Sequence, residues 1–323
     1  MRAQNQRITI VSPASSRENN GNWQTASRWA ALLGERHRVA IVHDWRVGDD
    51  VPDLLIALHA RRAAPALAAF AAAHPQLPSV LVLTGTDLYR DIAVDPAAQA
   101  SLETANRLVL LQEAGLAMLP PHLHAKATVI YQSAPSLPRL RADDDEYTFA
   151  MIGHLREEKD PATFMAAASL VRAPGATLLH IGGALDSALG AQAERTAATK
   201  ARYRWLGNLP HADTREHLRR SHAMVIASRM EGGANVIIEA LTCGVPVIAS
   251  DISGNRGMLG ADYAGYFPLG DAAALAHLID RCVTDAPFYA RLQAQCDARA
   301  ALFAPGREQA ALLQLVDNLC DRP

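Results

Sequence analysis

The chain has little that would tie it to metals, membranes or nucleic acid. Its four cysteines (Cys243, Cys282, Cys296 and Cys320) all fall in the C-terminal third, with no C-x-x-C pair. That spacing excludes a disulfide framework and a thiolate zinc site, and reads as reduced thiols of a cytoplasmic protein. Charge of neither sign dominates: the net charge is −2 and one residue in five is charged. No basic surface is therefore available for nucleic acid or anionic lipid. The richest apolar stretch, 57–73, is interrupted by His59, Arg61, Arg62 and Pro65, which excludes integral membrane contact. The opening MRAQNQRITIVSP has too short an apolar run for a signal peptide. G-x-S-x-G, Walker A and G-x-G-x-x-G are all missing. His122 and His124 lack zinc spacing, and Asp143–Asp145 form a D-x-D in a polar stretch with no strand before it. The latter reads as a solvated charge run, so no metal and no cofactor are expected.

What the chain does have is alternation. Short apolar runs at 7–13, 38–44, 53–59, 79–85, 107–112 and 127–133 alternate with helical patterns at 21–34, 61–73 and 97–106. A Pro-, Ser- and charge-rich stretch, 133–147, reads as a linker. A second series of strands follows at 148–154, 176–183, 203–207, 222–228, 246–250 and 265–270. Such alternation demands parallel sheets covered by helices. The expected fold is α/β: two Rossmann-like parallel-sheet domains facing a cleft, each of about 150 residues, which suffices for a core. The first is expected at 1–138 and the second at 147–304, where ligands would sit at the C-terminal ends of the strands.

The most informative stretch is Ser228–Pro246, SRMEGGANVIIEALTCGVP, in which Glu231 and Glu239 are separated by seven residues. A buried strand precedes it, Gly232-Gly233 supply a tight turn, and a helical pattern runs from Asn235 to the Cys243-Gly244 stop. Strand, glycine turn and helix N-terminus together aim free N–H groups at an anion. Glu231 in the turn and Glu239 in the helix cannot share one proton transfer. Two separate carboxylates beside an anion site suit hydroxyl recognition, on ribose or a hexose, so the indicated ligand is a nucleotide-sugar.

With these residues the chain resembles the retaining two-Rossmann-domain (GT-B) glycosyltransferases that carry the E-x7-E signature. The resemblance implies that Glu231 holds hexose hydroxyls and Glu239 the ribose. It matches MIGHLREEKDP (151–161) to the family's G-R-L-x-x-E-K-G segment, in which Arg and Lys clamp the donor diphosphate. Lys159 matches the lysine; His154 stands where the arginine is usual, and either His154 or Arg156 could serve in its place. The N–H groups of Gly232 and Gly233 would assist. Asn20-Gly21-Asn22 corresponds to the glycine-rich loop after the first strand, and Leu209 to the backbone that reads the base. The last helix, after Pro305-Gly306, would pack back on the first domain.

On the acceptor side, ALHARR (57–62) and TGTDLYRD (84–91) end two strands of the first domain. His59 is a candidate catalytic group there, and Arg61, Thr86, Asp87 and Arg90 are candidates for acceptor binding. Asp87 could be a base or a helix N-cap, and the adjacent Arg61 and Arg62 are expected to diverge. LTGTDLYRD, ALHARR and IGHLREEKDP together look like the selenosugar synthases of selenoneine biosynthesis. That resemblance implies metal-independent transfer of a sugar from UDP-N-acetylglucosamine to selenophosphate, with a C–Se bond formed. A conventional retaining transferase acting on a sugar or lipid hydroxyl remains open. So does a UDP-N-acetylglucosamine 2-epimerase-like isomerase, against which the spaced glutamates argue.

Overall fold

The computed structural model describes residues 5–15, 21–140 and 146–320. Twelve strands form two six-stranded sheets, all parallel. The first sheet uses β1 (Arg7–Val11), β2 (Arg38–Val42), β3 (Leu54–Leu58), β4 (Ser79–Leu83), β5 (Arg107–Leu110) and β6 (Ala127–Val129), in the order β2-β1-β3-β4-β5-β6. The second uses β7 (Tyr147–Ile152), β8 (Ala176–Ile181), β9 (Tyr203–Trp205), β10 (Ala223–Ile226), β11 (Val247–Ser250) and β12 (Tyr266–Phe267). Its order is β12-β11-β10-β7-β8-β9. Each strand lies within a run read from the sequence, except that β7 begins one residue earlier at Tyr147, because a parallel strand covered on both faces is a near-continuous apolar segment. β3 and β4 are buried at every residue.

The chain divides into two compact units. The first holds residues 1–132, 231–233 and 305–323; the second holds 133–230 and 234–304. The first unit thus ends at Gln132, short of the 138 expected, because the chain beyond it bonds within the second unit. There Leu137 N–H donates to the Thr242 carbonyl, and Arg139 reaches the carbonyls of Ser221 and His222.

In the first unit one face of the sheet packs Trp29 and Leu33 of the helix Gly21–Gly34 with Leu312, Leu315, Val316 and Leu319 of the helix Pro305–Cys320. Between these helices Glu308, nearly without exposure, accepts from Trp29 Nε1 (2.7 Å) and Arg28 Nε (3.0 Å). A buried carboxylate needs such partners, since an unpaired charge in that position would be costly. In the second unit His180, near the C-terminal end of β8, is fully enclosed. It bonds the Tyr203 hydroxyl through Nδ1 (2.9 Å). Among the described residues no helix is long and apolar enough to cross a membrane.

Candidate functional site

Strand order predicts where an open parallel sheet can bind a ligand: beyond the C-terminal ends of the two strands where the connections switch direction. In the second sheet that point lies between β7 and β10, which are paired neighbours. The segment after β7 carries His154, Arg156 and Lys159; the segment after β10 carries Arg229 and leads into the Glu231 turn. The two segments are joined. Arg229 N–H donates to the Glu158 carbonyl at 2.9 Å, and its guanidinium lies 3.5 Å from Asp160. Asp160 itself is buried and left-handed (φ 46°), which ends the short turn Glu157–Lys159 and lets Pro161 open the next helix.

The backbone stays extended through Leu155, which bridges to Ala184, and Arg156 (φ −153°, ψ 158°). Side chains two apart then share a side, so His154 and Arg156 project together. They differ in charge. The Gly183 N–H donates to His154 Nδ1 at 3.1 Å, which leaves the proton of the neutral ring on Nε2. Burial, with Arg156 and Lys159 adding to it, pushes His154 below the usual histidine range. His154 therefore offers a neutral N–H, and the cations of this segment are Arg156, half exposed beside Glu158, and Lys159, whose stem runs over Gly153.

Gly232 and Gly233 are required by close approach. A Cβ on Gly232 would overlap the Thr84 carbonyl and come 2.8 Å from the Gly85 nitrogen; one on Gly233 would meet Leu111 Cβ at 2.6 Å. Glu231–Gly233 belong to the first unit by these contacts, so Glu231, 8% exposed, sits beside the Thr84–Gly85 loop. After the turn, the helix Asn235–Thr242 carries Glu239. Its Oε1 lies 2.6 Å from Nε2 of His211, the first residue of the helix His211–Arg220. Leu209 lies two residues before that helix, half-buried, in a loop turned by Gly207 at φ +68°. His211 was not singled out from the sequence: 28 residues separate it from Glu239, and no short-range pattern connects them.

The acceptor-side candidates need correction. Asp87 has no exposure. Its carboxylate accepts from Ala60 N–H (2.8 Å), Thr84 N–H (2.9 Å) and Thr84 Oγ1 (2.7 Å), so it ties two loops together. His59 is enclosed as well, with its side chain 2% exposed. Its Nε2 meets Thr86 Oγ1 at 3.1 Å, its backbone is left-handed (φ 76°), and burial pushes its pKa down. His59 thus holds Thr86 and does not itself reach the surface. Arg61 and Arg90 converge on one carboxylate that had not been singled out: Asp91, at 2.8 and 3.1 Å. The pair holds Asp91 below the usual carboxylate range despite its burial. Both arginines remain partly exposed around this carboxylate. Arg62 is exposed. Residues 87–91 form a π-helical turn, a feature that recurs at functional sites. Gly21 opens its helix and accepts from Thr25 Oγ1 (2.8 Å). Asn20 and Asp143–Asp145 lie outside the described residues. Among the described residues no group of three His, Cys, Asp or Glu side chains could hold a metal ion.

Comparison with known proteins agrees with the sheet topology. The fold matches Alr3699/HepE of Anabaena, solved with UDP and glucose, with a TM-score of 0.76 and 16% identity, over 97% of this chain and 100% of that one. It also matches sucrose-phosphate synthase of Thermosynechococcus elongatus, with a TM-score of 0.77 and 17% identity, over 97% and 99%. At these identities the likeness is one of fold, the GT-B arrangement of two parallel-sheet domains. In sequence, the D-inositol 3-phosphate glycosyltransferase of Segniliparus rotundus is 32% identical over 128 residues, 38% of this chain and 28% of that protein's length. The family described as glycosyl transferases group 1 matches residues 135–300, half of the chain. On that match the chain belongs to the glycosyl transferases group 1 family.

Proposed function

We propose that the protein is a UDP-sugar-dependent transferase that moves N-acetylglucosamine from UDP-N-acetylglucosamine to selenophosphate without a divalent metal. The observation that carries the reading is the joining of the β7 and β10 segments. Lys159, Arg156 and the His154 N–H lie on one of them, and the other runs into Glu231. The donor half of the reading is further supported by the solved Anabaena relative, which holds UDP and glucose.

In this reading Glu239 accepts the ribose hydroxyls and the Leu209 backbone reads the base. Glu231 holds the hexose, and Gly232, Gly233 and Lys159 face the diphosphate. The C1–O bond to the diphosphate breaks and the electron pair leaves with UDP, whose growing charge Lys159 stabilises. Selenium attacks C1 and the C–Se bond forms. Selenophosphate is already an anionic, soft nucleophile, so no strong general base is needed, consistent with the enclosure of His59. The exposed guanidinium N–H groups of Arg61 and Arg90, held by Asp91, meet the phosphate oxygens, and Thr86 supplies a hydroxyl.

The test is to incubate the protein with UDP-N-acetylglucosamine and follow UDP release by mass spectrometry. Selenophosphate is compared with mono- and disaccharides, in the presence of EDTA. Release driven by selenophosphate alone supports the reading in full. Release driven by a sugar or lipid hydroxyl retains the donor site and replaces the acceptor. Dependence on added Mg²⁺ overturns the metal-free mechanism.

A further inference from the structure

Like the Arg229–Asp160 pair, the contact between Glu239 and His211 joins segments far apart in the chain, which most charge contacts of the second unit do not. Arg256 with Asp251, Arg281 with Asp285, and Arg219 and Arg220 with Glu216 are pairs at or near the surface, between residues at most five apart. His211 and Glu239 come from two different helices, at 2.6 Å, with the carboxylate side chain only 13% exposed and the imidazole 54%. His211 is also the first residue after the loop Leu206–Pro210, and a proline precedes it at the helix start. The imidazole therefore links the loop proposed to read the base with the carboxylate proposed to read the sugar next to it.

We propose that His211 is a positioning residue for the nucleotide: by donating Nε2–H to one oxygen of Glu239 it orients the carboxylate toward the ribose hydroxyls. The inference rests on the assignment of Glu239 to the ribose. A carboxylate oxygen has two lone pairs and accepts more than one hydrogen bond. The imidazole can thus occupy one direction at Oε1 and leave Oε2, with the other lone pair of Oε1, for a vicinal diol. Nε2–H donates in both the neutral and the charged ring, so the orienting bond survives the titration of His211. The hydrogen bond to Glu239 raises the His211 pKa, against burial and the charge of Arg215 one turn along its own helix. Leaving Glu239 without this donor frees its side chain to rotate, and the discrimination for a ribose hydroxyl is lost with the orientation.

The experiment is calorimetric titration of UDP and of 2′-deoxy-UDP into the wild type, His211→Ala, His211→Gln and Glu239→Ala. Donor KM and kcat are measured alongside. The wild type is expected to prefer UDP over its 2′-deoxy analogue. His211→Ala is expected to weaken UDP by about tenfold, the scale of one hydrogen bond to a charged group, and to bring the two nucleotides close to equal affinity. The loss falls on donor KM, with kcat at saturating donor nearly unchanged. His211→Gln carries a donor at the end of a similar reach and is expected to restore most of the affinity and the preference. A purely structural role would weaken both nucleotides alike and would not be rescued by Gln; that result overturns the proposal. If Glu239→Ala weakens UDP while His211→Ala does not, His211 is excluded and the ribose assignment stands. If Glu239→Ala leaves UDP affinity unchanged in a folded protein, the ribose assignment itself is wrong.

Discussion

The two units use the same parts, six parallel strands and covering helices, yet they treat the polar residues at their strand ends in opposite ways. In the first unit these groups are consumed by one another: Asp87 by Ala60 and Thr84, His59 by Thr86, Asp91 by Arg61 and Arg90. Among the described residues of these two loops, the outer atoms of the arginines and Thr86 remain for a ligand. In the second unit the groups after β7 stay open: His154 offers an N–H and Arg156 is exposed on an extended stretch, and Lys159 follows half-buried in the short turn after it. The difference also follows the strand order. The second sheet has its switch point between β7 and β10, whose loops carry the cations and the glutamate turn; the first has its own beside β1, flanked by β2 and β3. A strand-end carboxylate or histidine is thus evidence of a site only after its own loop's backbone donors have been counted.

Substitutions can break this comparison. The largest effect is expected at Lys159: Lys159→Ala should lower kcat by roughly 10²–10³, the scale of losing one preorganised charge-stabilising donor. Single-turnover measurement of UDP release checks it, and an unchanged rate would remove the second unit's claim to the leaving group. Next comes Gly232→Ala, whose methyl collides with the Thr84 carbonyl. A displacement of the turn by about 1 Å should cost roughly 10²-fold in rate, with the folded state retained by circular dichroism.

On the first unit, Arg61→Ala or Arg90→Ala should raise acceptor KM by about tenfold, the loss of one charge-assisted bond, while UDP affinity stays constant. If both constants move together, the division of labour between the units fails. The last effect is on stability rather than on rate or binding, and lies in the second unit. Burial pushes the His180 pKa down to about 4 from 6.5. The folded protein therefore binds fewer protons than the unfolded chain between these values. His180 contributes full stability above about pH 6.5, and the contribution falls by about 1.4 kcal/mol per pH unit as the medium is acidified toward pH 4. Urea midpoints measured across this range should slope downward in the wild type and less so in His180→Gln.

The strands were legible because each is an apolar run bounded by polar or glycine residues, and the helix Asn235–Thr242 because glycines bracket it. The Glu231 turn was legible for the same local reason. What escaped depended on partners far along the chain. Asp87 gave no sign that it would bond the Ala60 backbone, 27 residues away, and so it was grouped with ligand-binding residues. Asp91 stands 30 residues from Arg61, and the sequence does not reveal that it would draw two arginines. His154 and Arg156 could not be separated as replacements for an arginine until the Gly183 N–H on Nδ1 showed the histidine to be neutral.

The helix Pro305–Cys320 closes the first unit's core over Trp29 and Leu33 although the whole of the second unit intervenes in the chain. During synthesis the first sheet must therefore wait. At about 5–20 residues per second, the intervening segment takes roughly ten to thirty-five seconds to emerge. Over that interval the apolar face meant for Leu312, Leu315 and Val316 is bare, while the second unit gains every residue it needs. All residues of the later unit are thus made before the earlier one receives its closing helix.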